Sequence, residues 1–300
     1  MKMNNILITG ANGQLGHEMR NVLSGDQHFN VVYTDVTGDD IVTLDITDQQ
    51  AVEQAIAAHG INCIVNCAAY TAVDAAEDNE PLAAQLNAHA VGILARAAKQ
   101  QGARMIHVST DYVFDGKGCI PYNEEMPTNP QSAYGRTKLD GERQLLETLG
   151  DDAVILRTAW LYSPYGKNFV KTMLTLGREK PALKVVFDQV GSPTCARDLA
   201  RAIVTVLTAD QWHGGIYHFS NEGVISWYDF TLAIHRLACI TGCDVQPCHS
   251  DEFPAKASRP SYSVLDKTKF KTTFNVTVPY WQDSLQETLK QLLTETHDTK

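Results

Sequence analysis

The sequence lacks both an excess of positive charge and any long hydrophobic run. Its 25 lysines and arginines are outnumbered by 35 aspartates and glutamates, which gives a net charge of −10 at pH 7. Binding a polyanion such as nucleic acid requires a basic face, so we expect no nucleic acid partner. No apolar stretch approaches the length of a membrane span, and a strand-like run begins too early to leave room for a signal peptide. We therefore expect no membrane partner and a cytoplasmic location.

The sequence also lacks a cysteine pattern that would indicate disulfides or a metal site. The seven cysteines are odd in number and scattered along the chain, as is typical of reduced thiols in a cytoplasmic protein. Cys239, Cys243 and Cys248 lie near His235 and His249, but the spacings match no common zinc pattern. We expect no metal at these residues.

The sequence does contain enough apolar material, in regular alternation, for an α/β fold. Of its 300 residues, 44% are hydrophobic, which suffices for a large domain and a smaller one. Short apolar runs alternate with helical patterns, which indicates parallel strands joined by right-handed crossovers. These runs lie at residues 5–9, 31–35, 61–70, 104–108 and 153–158. The fold class is therefore α/β, a Rossmann-like doubly wound parallel sheet with a smaller C-terminal α/β substrate domain.

The same alternation predicts where the two domains lie. Residues 1–165 form the dinucleotide-binding domain, and residues 182–213 return to it. After about Gly214 the alternation loosens into short strands and helices, so we assign residues 214–300 mainly to the substrate-binding domain. Residues 79–101 carry a helical apolar stripe and predict one long amphipathic helix.

A glycine-rich turn follows the first predicted strand. Gly10-x-x-Gly13-x-x-Gly16 lies between the run at residues 5–9 and a helical stripe that ends near Ser24. Strand, glycine turn and helix in this order are the context of the dinucleotide fingerprint. Its glycines let the backbone approach a pyrophosphate at the helix N-terminus. The turn therefore predicts a dinucleotide cofactor.

Several residues after the turn are placed to contact such a cofactor. Asp35 ends the second strand about 20 residues after the glycines, where a carboxylate can bind the adenosine ribose hydroxyls and favour NAD over NADP. A plain turn residue is the alternative. Asp45 could reach the adenine edge, or it could cap the helix at residues 47–59. Ala68 and Ala69, at the end of the third strand, are small enough to let a cofactor lie across the sheet.

A tyrosine and a lysine one helical turn apart predict the chemistry. Tyr134 and Lys138 begin a helical pattern that ends near Leu149, and their side chains leave the helix on one face. A nearby cation favours the phenolate, so Tyr134 can act as an acid–base group nearer neutral pH. Thr110 follows the fourth strand, at the edge of the sheet where ligands bind. An exposed helical pair is the alternative, but the three side chains together predict a site of carbonyl reduction.

One stretch of the C-terminal region is locally basic, although the chain is acidic overall. Its basic side chains are Lys256, Arg259, Lys267, Lys269 and Lys271. Such a run is usually a solvated face, yet it is also the best candidate for holding an anionic substrate. Among these side chains Arg259 is best suited to bind an anionic substrate, because its planar fork can hold two oxygens at once.

With these motifs in place, the chain resembles the extended short-chain dehydrogenase/reductase superfamily. Thr9-Gly10-x-x-Gly13-x-x-Gly16, Asp35, Thr110 and Tyr134-x-x-x-Lys138 occur in the order and spacing of that superfamily. The resemblance narrows to the dTDP-4-dehydrorhamnose reductase family and spans nearly the whole chain. The segments that carry it are residues 65–74, 109–114, 157–162, 168–173, 188–194 and 259–260.

The resemblance implies a role for each matching residue. Tyr134 would be the proton donor, Lys138 would bind the nicotinamide ribose, and Thr110 would hold and tune the tyrosine. Substrate contacts would come from Thr110, Asp111 and Trp160. Together with Tyr134 and Lys138, the expected cofactor contacts are Gly10, Gly13, Gln14, Leu15, Gly16, Asp35, Asp45, Ile46, Ala68, Ala69 and Tyr70.

The implied reaction is reduction of dTDP-4-dehydro-L-rhamnose to dTDP-L-rhamnose, with NADPH or NADH giving a hydride to C4 and Tyr134 a proton. One alternative is a nucleotide-sugar epimerase or dehydratase of the same superfamily, which would retain its cofactor through a redox cycle. Another is a non-catalytic NAD(P)-binding regulatory subunit, like that of methionine adenosyltransferase. Such a subunit has no need of Tyr134, Lys138 and Thr110 together.

The resemblance also bears on metal binding and assembly. Some members of the family bind magnesium between subunits through glutamates. Glu18 matches one of these, but Arg197 stands where another is expected and would repel a cation. We therefore do not expect a metal-bridged dimer, and a homodimer of another kind is left open.

Overall fold

Strands and helices alternate along most of the chain. The computed structural model describes residues 4–253 and 255–295. The strands in these ranges are β1 (Asn5–Thr9), β2 (Asn30–Asp35), β3 (Val42–Thr43), β4 (Cys63–Asn66), β5 (Arg104–Thr110), β6 (Ala153–Thr158), β7 (Leu161–Tyr162), β8 (Ala182–Val186), β9 (Val190–Gly191), β10 (Thr194–Cys195), β11 (Gly215–His218), β12 (Ile225–Ser226) and β13 (Asp244–Cys248). The helices are α1 (Gln14–Val22), α2 (Gln49–Ala58), α3 (Val73–Asp78), α4 (Glu80–Ala84), α5 (Ala90–Gln101), α6 (Ala133–Leu149), α7 (Phe169–Glu179), α8 (Ala196–Thr208), α9 (Trp227–Leu237), α10 (Thr268–Phe274) and α11 (Trp281–Glu295).

The main sheet has the order of a doubly wound fold. In the described residues it contains seven strands, ordered β3-β2-β1-β4-β5-β6-β11, and each neighbouring pair is parallel. The order reverses beside β1, and ligands of such sheets bind at the carboxyl ends of the strands near this switch point. The predicted fold class is confirmed.

Helices cover both faces of this sheet. On one face α1 and α8 pack through Met19, Leu199 and Ile203 onto Ile6 and Ile8 of β1. On the other face α2 and α5 pack onto the opposite side of the strands, with a core that includes Leu7, Val52, Ile56, Ile64 and Leu94. Since successive strand residues point to opposite faces, β1 contributes to both cores. The strands between them are therefore buried, and their carboxyl ends are held rigidly.

A second core lies beside the sheet and is built differently. Short strand pairs, β7 with β10, β8 with β13 and β9 with β12, accompany helices α7, α9 and α11. Its buried side chains include Tyr162, Phe230, Trp281 and Leu285. None of the helices in the described ranges is long and apolar enough to cross a membrane.

The structure differs from the predicted elements in two places. Residues 79–101 form α4 and α5 with a π-helical turn between them at Gln85–His89, so the predicted single helix is interrupted. Strand β11 begins at Gly215, inside the segment assigned to the substrate domain, yet it pairs with β6 in the main sheet. Only four residues long, it is too short for its periodicity to reveal this partner.

Candidate active site

The glycine turn forms a tight passage between β1 and α1. Gly10 has a φ of +67°, and a Cβ there would lie 2.7 Å from the Ala68 nitrogen. A Cβ on Gly16 would lie 2.2 Å from the Gly10 carbonyl oxygen. Gly13 precedes the first turn of α1 and contributes no capping side chain. The turn therefore brings bare backbone close to the N-terminus of a helix, an arrangement that suits a phosphate.

Asp35 ends β2 beside this turn. Its two carboxylate oxygens accept hydrogen bonds from the backbone N–H groups of Asn12 (3.0 Å) and Val36 (2.8 Å). Asp45 is exposed and accepts from the backbone and hydroxyl of Thr47. The N-cap of α2 is Asp48, so the alternative role of Asp45 as that cap is wrong.

Ala68 and Ala69 follow β4 and are half-buried, whereas Tyr70 is held by its backbone. The side chain of Asn87 accepts from the Tyr70 N–H (2.8 Å) and donates to the Tyr70 carbonyl (3.1 Å). It also donates to the hydroxyl of Thr137 on α6 (3.1 Å). Asn87 lies in the π-helical turn and is buried. This asparagine therefore ties the loop after β4 to α6.

Tyr134 lies in the first turn of α6, close to the end of β5. Ser132 caps the helix by accepting from the Gly135 N–H (3.1 Å), and the hydroxyl of Thr110 lies close enough to the Tyr134 phenol to affect its pKa. Burial raises the pKa of Tyr134 above its usual value, and the contact with Thr110 only opposes this rise. The predicted lowering of this pKa is therefore wrong for the structure as it stands. A neutral phenol is nonetheless the form that a proton donor requires.

Lys138 follows one turn later and is almost completely buried, with 1% of its surface exposed. Its Nζ donates to the Val108 carbonyl (2.7 Å) and lies 3.2 Å from Nε2 of His107. Burial lowers the pKa of Lys138 to about 8, and the nearby Glu142 acts in the opposite direction. Because this ammonium is held on the β5 side, its effect on the tyrosine does not offset the burial of the phenol.

Asp111 places a carboxyl group next to Thr110 at the edge of the sheet. It is 4% exposed, its Oδ1 accepts from the Thr110 hydroxyl (2.9 Å), and its Oδ2 has no hydrogen-bond partner among the described residues. Burial raises the pKa of Asp111 to about 7. Near neutral pH this side chain can therefore act as either a donor or an acceptor for a polar ligand.

Trp160 follows β6 with a backbone conformation that bulky residues rarely adopt. Its φ is +51°, and its indole stacks on that of Trp227 from α9, with centroids 3.5 Å apart and planes 11° from parallel. A Cβ on Gly191 would lie 2.8 Å from the Trp160 ring. The indole is therefore held in place beside the second core, against which it packs. Trp227 and Gly191 were not found from the sequence, because their partner is distant along the chain.

Arg259 is already paired in this structure. Its guanidinium, 26% exposed, forms a salt bridge with Asp74 and donates to the Tyr112 hydroxyl (3.1 Å). Tyr112 in turn makes an edge contact with the ring of Tyr134, with centroids 5.5 Å apart. Arg259 is thus connected to Tyr134 through one side chain and carries a partner of opposite charge.

The rest of the basic stretch is also largely neutralised, by acids from other parts of the chain. Lys256 pairs with Asp78, while Lys267 (3.3 Å) and Lys271 (2.8 Å) both pair with Glu222. Between Lys256 and Lys271 the sequence contains only one acidic residue, Asp266, so these partners could not be identified from it. These three lysines therefore do not form an unpaired positive surface.

A single cleft of about 760 Å³ brings most of the predicted site residues together. Thr110, Asp111, Tyr134, Lys138 and Trp160 line one part of it. The predicted cofactor residues that line it are Gly10, Gly13, Gln14, Leu15, Asp35, Ile46, Ala68 and Ala69. Gly16, Asp45, Tyr70 and Arg259 are not among its lining residues.

Ser163 and Asn168 hold the cleft wall near the glycine turn by hydrogen bonds to Gln14. The amide of Gln14 accepts from Asn168 (2.9 Å) and from the Ser163 hydroxyl (3.2 Å). Asn168 also caps α7 by accepting from the Lys171 N–H (3.2 Å). The start of α1 is thereby linked to the second core. Asn168 lies in a segment that carries the family resemblance, so only that resemblance could have indicated it.

Glu18, the residue that matches a magnesium ligand of some relatives, lies on α1. It is buried, which raises its pKa, while Asn21 donates to its carboxylate (3.3 Å) and Arg197 and Arg201 oppose the rise. Across residues 4–253 and 255–295, no cluster of three or more His, Cys, Asp or Glu side chains is arranged to hold a metal ion.

Comparison with known proteins gives consistent matches over the whole chain. The family model described as the RmlD substrate binding domain matches residues 3–294. A probable dTDP-4,6-dihydroxy-2-methyloxan-3-one 4-ketoreductase of Streptomyces antibioticus is 41% identical, over 97% of this chain and 96% of its own. The dTDP-4-dehydrorhamnose reductase of Aggregatibacter actinomycetemcomitans is 39% identical, over 95% of this chain and 98% of its own.

A solved structure matches the fold equally well. The crystal structure of dTDP-4-dehydrorhamnose reductase from Bacillus anthracis in complex with NADP superposes with a TM-score of 0.90. Its sequence is 36% identical, and the match covers 97% of this chain and all of that one. The expected family resemblance is confirmed. The chain belongs to the RmlD substrate binding domain family.

Proposed function

We propose that the protein is an NAD(P)H-dependent oxidoreductase that reduces dTDP-4-dehydro-L-rhamnose to dTDP-L-rhamnose. The observation that carries this proposal is the convergence of Tyr134, Thr110 and Lys138 on one cleft whose other end is the glycine turn. Reduction of a carbonyl needs a hydride donor and a proton donor held on the same substrate, and the cleft can position both. The names of relatives about 40% identical over their full length support the substrate.

A dinucleotide fits the residues present. A Cβ on Gly10 or Gly16 would collide with neighbouring backbone, so these two positions of the turn have room only for glycine. Ala68 and Ala69 line the cleft with small side chains and leave space for the cofactor at the edge of the sheet. Asp35 retains lone pairs that can accept ribose hydroxyls beyond its two backbone contacts. When bound, NADPH or NADH supplies the hydride.

The protein supplies the proton and the electrostatic setting. Tyr134, kept neutral by burial, donates its proton to the oxygen that develops negative charge at C4. Thr110 holds the phenol by a hydrogen bond. Lys138 presents a nitrogen on the same helix face, where it binds the nicotinamide ribose. Catalysis of this kind consists mostly of placement and charge stabilisation.

Substrate recognition falls to the residues opposite the glycine turn. Asp111 offers its unpartnered Oδ2 to a sugar hydroxyl, and the Trp160 indole supplies a flat apolar wall. Arg259 binds the diphosphate after it exchanges Asp74 for phosphate oxygens, since a guanidinium serves both kinds of oxyanion. The region after Gly214 thus contributes Arg259 to the sugar nucleotide, while residues 1–165 bind the cofactor and also provide Asp111 and Trp160.

A related 4-keto sugar nucleotide is a second candidate substrate. The relative from Streptomyces antibioticus is named for another dTDP-linked ketone and is as similar to this chain as the rhamnose enzyme. Both reactions use the same proton and hydride donors, so the choice depends on contacts to the sugar ring. Comparison of kcat/KM for the two ketones identifies the better substrate.

The proposal is tested by following cofactor oxidation with dTDP-4-dehydro-L-rhamnose made in situ by the preceding enzymes. We expect NADPH or NADH to be consumed in equal amount to the dTDP-L-rhamnose formed. An epimerase or dehydratase would convert the sugar without net oxidation of the cofactor. A regulatory subunit would bind the cofactor without turnover.

A further inference from the structure

A row of buried polar side chains lies behind Lys138, on the side away from the cleft. His107 of β5 is fully buried, and its Nε2 lies 3.2 Å from the Lys138 Nζ. Its Nδ1 lies 3.0 Å from the amide nitrogen of Asn66 on β4. The Asn66 Oδ1 accepts from the Thr9 hydroxyl (2.6 Å) and from the Ala68 N–H (3.2 Å). The row therefore runs from the end of β1 to the catalytic helix.

The donors and acceptors of this row fix the orientation of the Asn66 amide. The backbone N–H of Ala68 can only donate, so the oxygen of Asn66 must face it and the amide nitrogen must face His107. The amide nitrogen can only donate, so Nδ1 of His107 must accept. A neutral imidazole carries one proton, which consequently lies on Nε2. Burial, with Lys138 nearby, lowers the pKa of His107 well below its usual value, in agreement with a neutral ring.

The Nε2–H of His107 therefore points at the nitrogen of Lys138. An ammonium group has three donors and no acceptor, so it would set one N–H against another. A neutral amine has a lone pair for His107 and hydrogens left for the Val108 carbonyl and for the cleft. We propose that His107 is a positioning residue that donates its Nε2–H to Lys138 and thereby stabilises the neutral amine of the lysine.

The charged groups around Lys138 do not cancel the effect of His107 on its protonation. Glu142, one turn later on α6, favours the ammonium, but Arg157 of β6 binds its carboxylate through two hydrogen bonds of 2.9 and 2.6 Å. The titratable side chains that line the same cleft include Tyr134, Tyr112 and Asp111. The acids of α3 and α4 bind elsewhere on α6, Glu77 to the Ala133 N–H and Glu80 to Arg136. Burial and His107 thus act together against the ammonium.

For the reaction this makes the charge of Lys138 depend on pH around its pKa of about 8. The inference rests on the proposed function at this point. Tyr134 gives its proton to the alkoxide oxygen, and solvent returns one proton to the phenolate between turnovers. The phenol O–H bond breaks and the O–H bond of the sugar alcohol forms, so protons balance over the cycle. The Lys138 ammonium favours the negative charge that develops in the cleft, and the neutral amine does not.

The tautomer of His107 can be measured directly and without turnover. In protein labelled with ¹⁵N-histidine, long-range ¹H–¹⁵N correlation spectra distinguish Nε2–H from Nδ1–H. The His107 signals are assigned by their loss in His107→Gln and, should that variant not fold, by their change in Asn66→Asp. We expect Nε2–H in the wild type. In Asn66→Asp we expect Nδ1–H, because a carboxylate can only accept. An Nδ1–H tautomer in the wild type would overturn the inference.

The pH dependence of kcat supplies a second readout. In the wild type, kcat for reduction should fall on the alkaline side as Lys138 loses its proton. Asn66→Asp should move this limb to higher pH by at least about one unit, because the ammonium gains both an acceptor at Nε2 and a nearby negative charge. Thr9→Val removes the other partner of Asn66 but leaves the Ala68 N–H to orient the amide, so its limb should keep the wild-type position.

The two measurements separate this inference from the proposed function. An alkaline limb that stays in place or moves to lower pH in a folded Asn66→Asp protein contradicts the role of His107. If the protein reduces no keto-sugar nucleotide but shows the Nε2–H tautomer, the proposed function fails while the assignment of the His107 proton stands. If it reduces the sugar with the opposite tautomer, only the inference about His107 fails.

Discussion

The two walls of the cleft hold their functional side chains by different means. On the sheet side, Thr110, Tyr134 and Lys138 rest on strand ends, a capped helix and buried or partly buried hydrogen bonds. On the opposite side, Trp160 rests on a stacked indole, and Arg259, which lies outside the lining of the cleft, rests on a partly exposed salt bridge. Buried hydrogen bonds fix positions closely, whereas exposed ion pairs exchange partners at little cost. The comparison indicates that the chemistry is held rigidly and that substrate recognition is adjustable.

The largest effect should come from the rigid side. Tyr134→Phe removes one hydroxyl and leaves the ring packed against Tyr112, so the fold and cofactor binding should persist. We expect kcat to fall by about 100-fold or more, in line with acid–base contributions of this kind. Steady-state kinetics measures the loss, and a cofactor titration of the same variant serves as the control. Near-normal turnover by a folded Tyr134→Phe protein would show that Tyr134 is not the proton donor and would reopen the alternative of a non-catalytic NAD(P)-binding subunit.

A second rigid position is Asp35, at the cofactor end of the cleft. Asp35→Asn should weaken NADH binding by roughly 10-fold, because a charge-assisted hydrogen bond contributes about 1.5–3 kcal/mol and the amide retains part of it. The ratio of NADPH to NADH use should rise, since the charge that repels a 2′-phosphate is gone. Dissociation constants for both cofactors test this. A wild-type protein that strongly prefers NADPH would mean that Asp35 does not bind the ribose hydroxyls.

On the adjustable side, Arg259→Ala should raise KM for the sugar nucleotide by about tenfold, which corresponds to about 1.4 kcal/mol. Cofactor affinity should hardly change. Asp74→Asn should lower KM, because it releases the guanidinium for the diphosphate. Lys256→Ala removes the same charge from the neighbouring Asp78 pair and should have a smaller effect. If Asp74→Asn raises KM as much as Arg259→Ala does, the salt bridge between Arg259 and Asp74 only stabilises the local structure, and Arg259 does not bind substrate.

The smallest expected effect is at Trp227. Trp227→Ala removes the indole beneath Trp160, and an aromatic pair contributes about 0.5–1.5 kcal/mol beyond its buried area, so KM should rise about 2- to 12-fold. Near-UV circular dichroism should lose the band of the coupled indoles. Trp212→Phe, at an indole that contacts Arg104 and the Asp151 carbonyl, should leave both the band and KM unchanged. An unchanged KM in Trp227→Ala would show that stacking on Trp227 is not needed to position Trp160 for substrate binding.

The sequence predicted the sheet side of the cleft much better than the other side. The glycine turn, Asp35, Thr110 and Tyr134-x-x-x-Lys138 are local patterns, because a strand end or one helical turn already determines where each side chain points. The pairing of β11 with β6, the stacking of Trp227 on Trp160 and the binding of Asp74 to Arg259 join residues far apart in the chain. Periodicity and spacing carry no information on such partners.

The pKa of Tyr134 shows a further limit of the sequence. The spacing correctly placed a lysine one turn after the tyrosine, but it could not reveal how deeply both would be buried. Burial dominates the pKa of each group in the structure, raising it for the phenol and lowering it for the ammonium. His107 and Asn66, which decide where the lysine directs its hydrogens, lie inside ordinary-looking strands and carry no motif.

The most direct test of the account is the transfer of deuterium from labelled cofactor. NADH or NADPH carrying deuterium at the transferable position of C4 of the nicotinamide is incubated with the protein and dTDP-4-dehydro-L-rhamnose, and the product is analysed by NMR. We predict dTDP-L-rhamnose with one deuterium at C4 of the sugar and one cofactor oxidised for each product formed. Product without deuterium at that carbon, or conversion without net oxidation of the cofactor, would contradict the account.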